Sequence, residues 1–308
     1  MVSLLLDGKV FTATQAGAEL GISAWHFGEM VAGGRVRRLL YDAYVDALVP
    51  DSVELRVEAV CLVIPPSAII CRRTAAWLYG IDAYAPHQRD QALMVECVVP
   101  ARLPRVRRDG VEGREETLQP YDACTLAGVR VTTPTRTALD LARYAPRFMG
   151  LAAVDAFCQQ QLTSPSQLLA CVERFRGGRN IAIARKLISW AEPLTESPGE
   201  SWLRLRILDA GFPRPEAQIK VLDTFGRLVY RLDLGYRDRS IGLEYDGLEF
   251  HDLREQRDHD EKRRTRLDRE FGWQTYGFDR GDVLGRRPTV ELAVGELLSL
   301  EPLLPRTW

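Results

Sequence analysis

Two short stretches late in the chain place acids where a reaction could use them. Arg231-Leu-Asp233-Leu reads as a strand, and Glu244-Tyr-Asp246-Gly247 begins eleven residues after Asp233. Side chains alternate along a strand, so Glu244 and Asp246 emerge on one face. Asp233 stands between Leu232 and Leu234, and pairing of the two strands brings three carboxylates to one sheet edge. Such a group repels itself and raises its own pKa values unless a cation neutralises it. Mg2+ or Mn2+ takes oxygen ligands of this kind, and phosphodiester hydrolysis uses such an ion to polarise phosphoryl oxygen and acidify an attacking water. Glu200, on the helix before these strands, reaches toward the same edge. His251, four residues past Gly247, is placed to shuttle a proton near neutral pH.

Cations form three further groups. Arg263 and Arg264 lie in a charged segment and are suited to phosphates, although Asp260, Glu261, Asp268 and Glu270 nearby suit an ion-paired solvated face equally well. Arg35, Arg37 and Arg38 sit together early in the chain. Arg105, Arg107 and Arg108 crowd the stretch 102–108, either as a phosphate-binding loop or as a solvated connection. His26, His87 and His259 read as ordinary surface histidines.

The elements that must position these residues fall into three expected segments: 1–50, 51–195 and 196–308. In the first, helical spacing over Thr12–Leu20 ends at Gly21. Ser23 caps a second helix, Ala24–Ala32, and two short strands flank a turn within 35–45. Helix, tight turn, helix and β-wing is the order of a winged helix-turn-helix, whose second helix commonly enters the major groove. That helix holds no Lys or Arg, so the wing arginines are the better candidates for phosphate contact. The middle segment mixes helices (53–63, 72–79, 135–144) with strands (93–99, 129–133). Glu192-Pro-Leu-Thr-Glu-Ser-Pro-Gly199 reads as a linker. The last segment predicts a helix over 200–210, a meander of strands at 217–222, 231–236 and 240–245, a charged helix at 258–271, a strand at 273–278 and a helix at 289–300. The fold class is α/β, mixed α+β and multidomain.

Bulk composition limits the alternatives. The 308 residues are 46% apolar and 27% charged, which forces no segment into disorder. A net charge of −1 gives no global case for binding nucleic acid, so any such contact comes from local patches or bound metal. Six cysteines without a CxxC pair suit buried reduced thiols in a cytoplasmic protein. The longest apolar stretch, 57–71, is broken by Glu58 and Pro65-Pro66, so no membrane span is expected.

The last segment also carries a resemblance. Glu196-Ser-Pro-Gly-Glu200, Pro215-Glu-Ala-Gln218, Arg231-Leu-Asp233-Leu, Glu244-Tyr-Asp-Gly247 with His251, Asp260-Glu-Lys-Arg263 and Gly272-Trp273 keep the order of one family. It is a domain of unknown function related to very-short-patch-repair (Vsr-like) endonucleases, within the PD-(D/E)XK superfamily of restriction-endonuclease-like fold. The resemblance implies Asp233 and Glu244 as metal ligands together with the main-chain carbonyl of Tyr245, His251 as proton-transfer group, Glu200 as helical acid and Gln218 as accessory residue. Asp246 stands where most of the superfamily has lysine and where the very-short-patch enzymes have histidine. Gly277 precedes Phe278 where the family usually carries arginine.

Earlier in the chain, Phe11-Thr-Ala-Thr-Gln-Ala16, Gly21-Ile-Ser23 and Gly34-Arg-Val-Arg-Arg-Leu39 resemble the winged helix of AbiEi-type antitoxins. Arg72-Arg-Thr-Ala-Ala-Trp-Leu-Tyr-Gly80 and Val131-Thr-Thr-Pro-Thr-Arg-Thr-Ala-Leu-Asp140 resemble the domain that follows it. Two expectations result. One is a Mg2+-dependent endodeoxyribonuclease that the N-terminal segments deliver to DNA. The other is an AbiEi-like antitoxin or transcriptional regulator that uses an inactive nuclease fold to hold DNA or a partner, such as a cognate toxin or a repair protein.

Overall fold

A computed structural model describes residues 5–86, 94–99, 103–247 and 264–304. His251 and Arg263 of the expected site lie outside the described residues. The chain divides into two compact units, 1–141 and 142–308.

The first unit opens with two capped helices. The Thr12 hydroxyl and the Gln15 side chain close a capping box on α1 (Ala13–Leu20), which ends at Gly21 with φ +61°. Ser23 caps α2 (Ala24–Ala32). An antiparallel hairpin of β1 (Val36–Leu40) and β2 (Ala43–Asp46) follows. Phe11, Ala16, Phe27, Val36 and Tyr44 form the small core that fixes helices to hairpin, with the Phe27 and Tyr44 rings edge-to-face at 4.8 Å. This is the helix–turn–helix–wing order that the spacing of residues predicts.

The rest of this unit is built on a six-stranded mixed sheet. The apolar run 57–71 is two elements rather than one, because Pro65-Pro66 separates α3 (Val53–Val63) from β3 (Ile69–Ile70). Then come α4 (Arg72–Leu78), β4 (Val95–Val99), β5 (Arg107–Arg108), β6 (Val111–Glu115), β7 (Ala123–Leu126) and β8 (Val129–Thr132). The order across the sheet is β5-β6-β4-β3-β8-β7, with β4 parallel to β6 and β3 parallel to β8. Every residue of β4 is buried, as a central strand requires. Beside the sheet, Arg136 reaches Asp140 at 2.8 Å, Glu116 at 2.6 Å and Asp122 at 3.3 Å in a buried polar group.

Helix α5 (Pro134–Tyr144) crosses the division between units. The second unit continues with α6 (Arg147–Gln159), α7 (Pro165–Glu173), α8 (Ile181–Ser189) and α9 (Pro198–Asp209). Next are β9 (Glu216–Leu222), β10 (Leu228–Tyr236), β11 (Ile241–Asp246), a helix α10 described over 264–271, β12 (Gln274–Asp279), α11 (Arg280–Leu284) and α12 (Thr289–Leu298). The four strands lie in the order β12-β11-β10-β9, with β11 and β12 parallel and the other neighbours antiparallel.

Helix α9 is buried almost all round, so the expected apolar stripe understates it. Its charged members are paired. Arg204, with no exposed surface, meets Asp155 of α6, which also accepts from Ser201 Oγ at 2.7 Å and the Glu192 N–H at 2.8 Å. Arg206 meets Glu291 of α12 at 2.7 Å. All six cysteines are unpaired; four are buried, while Cys61 and Cys124 are exposed, against the expectation of six buried thiols. Among the described residues no helix is long and apolar enough to cross a membrane.

Candidate functional site

Backbone pairing explains where the acids of the second unit go. The β10–β11 ladder runs from Tyr236–Ile241 to Leu234–Leu243 and stops there. One residue further, the Asp233 carboxylate takes the Tyr245 N–H at 3.0 Å, replacing the lost backbone acceptor. On the other side, the β9–β10 register sets Gln218 opposite Asp233. Gln218 has φ +53°, a left-handed conformation that costs about 1 kcal/mol or more for a residue with a side chain. Its amide Nε2 donates to Glu200 Oε2 at 2.8 Å, and its buried Oε1 has no hydrogen-bond partner among the described residues. Glu200 also accepts the Glu196 N–H at 3.1 Å and sits in the first turn of α9 behind the Ser197 cap.

The remaining two acids are engaged. Glu244 is buried and accepts from the Tyr230 hydroxyl at 2.7 Å. Asp246 pairs with Arg264 at 3.2 Å, in a space that exists because residue 277 is glycine: a Cβ there would run into both groups. Tyr245 turns its ring to α9, edge-to-face with Trp202 at 6.0 Å and tight against Gly199.

The electrostatics follow from crowding. Burial, reinforced by the charges of Glu200, Glu244 and Asp246, pushes the Asp233 carboxyl up to about 7 against the pull of the Tyr245 N–H. Burial likewise raises Glu200, against hydrogen bonds from Glu196, Ser197 and Gln218. The structure thus brings Glu200, Gln218, Asp233, Glu244 and Asp246 into one neighbourhood. It does not arrange them as a cage: among the described residues no three His, Cys, Asp or Glu side chains form a group that could hold a metal ion. Tyr230 and the Asp246–Arg264 pair escaped the sequence reading. Only the strand register reveals the first, and the glycine at 277, which leaves room for both groups, is the sequence signal for the second.

In the first unit the three wing arginines differ. Arg35 is exposed. Arg38 is exposed along β1, stacks on the Tyr44 ring at 5.3 Å and donates to its hydroxyl at 2.9 Å. Arg37 is half-buried and donates to the Val49 carbonyl at 2.8 Å, a structural position rather than a surface one. Trp25, at 69% exposure, stands in the first turn of α2 beside His26. Arg105, Arg107 and Arg108 are exposed, but the last two form edge strand β5, paired with β6, rather than a loop.

Comparison with known proteins places the AbiEi antitoxin C-terminal domain on residues 68–190. Two relatives in Mycobacterium tuberculosis, each described as an uncharacterized protein, are Rv2248 of strain ATCC 25618 / H37Rv and MT2308 of strain CDC 1551 / Oshkosh. Each is 31% identical over 254 residues, 79% of this chain and 85% of the relative. A crystal structure of the RV2827C protein from Mycobacterium tuberculosis aligns over 60% of this chain and 73% of its own, with a TM-score of 0.30 and 15% identity.

Proposed function

We propose that this chain, which belongs to the family of the Mycobacterium tuberculosis Rv2248 protein and carries an AbiEi antitoxin C-terminal domain, is a DNA-binding regulator of the toxin–antitoxin type. The observation that carries the reading is the helix–turn–helix and hairpin directly ahead of that domain, with Arg35 and Arg38 exposed on the wing. In this reading α2 faces the major groove through Ala24, Trp25 and Glu29, and the two wing arginines hold phosphates. Weak base reading by α2 suits a protein whose affinity comes mainly from backbone contact. A cognate toxin is the partner that the domain implies. The test is a mobility shift on DNA upstream of the protein's own gene. Arg35→Ala/Arg38→Ala is expected to weaken binding about tenfold; binding that the pair of substitutions leaves unchanged rejects the wing. Co-purification of the product of a neighbouring gene tests the toxin.

A second reading, a Mg2+-dependent endodeoxyribonuclease of very-short-patch-repair type, is favoured by one observation: the elevated Asp233 among three further acids. A divalent cation is the ordinary relief for such a group. Asp233, Glu244 and the Tyr245 carbonyl are the ligands that the resemblance implies. Mg2+ or Mn2+ that raises the melting temperature of the wild type, but not of Asp233→Asn, supports this reading. Equal shifts in both proteins, together with intact supercoiled DNA, dismiss it.

A further inference from the structure

The turn between α7 and α8 gathers positive charge that neither reading uses. From Arg174 to Lys186 the chain carries five cations and no carboxylate, in a protein of net charge −1. Arg174, Arg176, Arg179 and Lys186 are exposed, the Arg176 side chain at 81%. Among the acids that face the group, Glu173 meets Arg176 at 2.6 Å and Arg185 at 2.9 Å, and Asp209, which pairs with Arg147 at 2.6 Å, meets Lys186 at 3.7 Å. Positive charge remains in excess.

This turn is built rather than loose. The Phe175 ring meets the guanidinium groups of Arg143 at 4.9 Å and Arg174 at 5.4 Å. Arg143 Nε donates to the Arg179 carbonyl at 3.2 Å, and Asn180 Nδ2 returns a hydrogen bond to the Arg143 carbonyl at 2.8 Å. Gly177, with φ +78°, makes the bend that sends Arg176 and Arg179 outward. Helix α8 starts immediately afterwards, and Asn180 makes no side-chain cap. The Ile181 N–H, first of α8, donates to the Gly178 carbonyl at 3.3 Å, and the positive end of the helix dipole lies beside Arg179.

We propose that this turn is a second DNA-phosphate contact, separate from the wing, with Arg176 and Arg179 as its guanidinium donors. It rests on the DNA-binding reading above. Guanidinium forks match phosphate oxygens two at a time, and a polyanion uses an exposed cationic turn without needing an apolar pocket.

The test is fluorescence anisotropy of the full chain on a labelled duplex of its upstream DNA, from about 50 to about 300 mM salt. Arg176→Ala/Arg179→Ala is expected to bind about tenfold more weakly and to lower the slope of log affinity against log salt by about two. Its melting temperature should match the wild type, because the Arg176–Glu173 ion pair that it loses is exposed. Arg176→Lys/Arg179→Lys should keep most of the slope. Wild-type affinity and slope in the alanine variant overturn this proposal alone, provided that Arg35→Ala/Arg38→Ala still weakens binding. A wild-type chain that binds no DNA overturns both this proposal and the reading it rests on.

Discussion

Asp233 is an acid whose surroundings favour its proton. Its ordinary value is 3.8 and burial among other acids lifts it to about 7, so between these limits the folded chain holds a proton that the unfolded chain has lost. The stability this provides is complete below the unfolded value and is lost as pH rises through the folded one. Asp233→Asn keeps an acceptor for the Tyr245 N–H and removes the charge. It should flatten the pH dependence between about 4 and about 7 and stabilise the chain at pH 8 by about 2 kcal/mol, read by denaturant melts. Arg37 makes a contrasting prediction. Arg37→Ala should cost about 1 kcal/mol through the lost Val49 hydrogen bond while leaving the salt dependence of DNA binding as it was. At this scale the sequence made the acids legible, since Glu200, Asp233, Glu244 and Asp246 lie close enough to act on one another, with Gln218 bonded to Glu200. What each is bonded to was not legible. The reach of Tyr230 to Glu244 and of Arg264 to Asp246 depends on register and on neighbouring glycines, and the composition of a short motif contains neither.

Among the elements, those with local signals were read well. Helices α1 and α2 announce themselves through Thr12, Ser23 and Gly21, and α5 through Pro134. Strands β3, β6 and β7 were missed for a physical reason. Ile69–Ile70 is too short to display a period, and β6 and β7 are mostly exposed or half-exposed strands held by partners distant in the chain. The same lesson applies to the packing of α9 on β11, which turns on Gly199. A methyl group there would enter the Tyr245 ring, and ring and helix backbone cannot both stay. Gly199→Ala should therefore destabilise the chain by about 2 kcal/mol, measured by urea unfolding, and disturb Glu200 in the adjacent position of the same turn. Gly28→Ala, with open space around its Cβ, is the control and should be neutral or slightly stabilising.

At the scale of the whole molecule, the region 68–190 that matches the AbiEi antitoxin C-terminal domain does not coincide with either compact unit. It begins in the first and ends inside the second, before α9. The buried Asp155–Arg204 pair joins α6, within the matched region, to α9 beyond it. Removing one member of a buried pair leaves the other uncompensated, so Asp155→Ala should cost about 3–5 kcal/mol in thermal or chemical unfolding. A fragment of residues 68–190 should fail to give a cooperative transition, because Leu151 and Leu187 would lose Leu205, and Asp155 its guanidinium. Residues 142–304 expressed alone should unfold in one step.

The buried Asp155–Arg204 pair also constrains how a gene for such a protein can change. An early stop codon after residue 190 would not yield a shorter working protein; it would strand a carboxylate in oil and hand the product to proteases. Shuffling the sheet-bearing end for another module demands a replacement arginine at the right turn of the incoming helix, so the two parts should be inherited together.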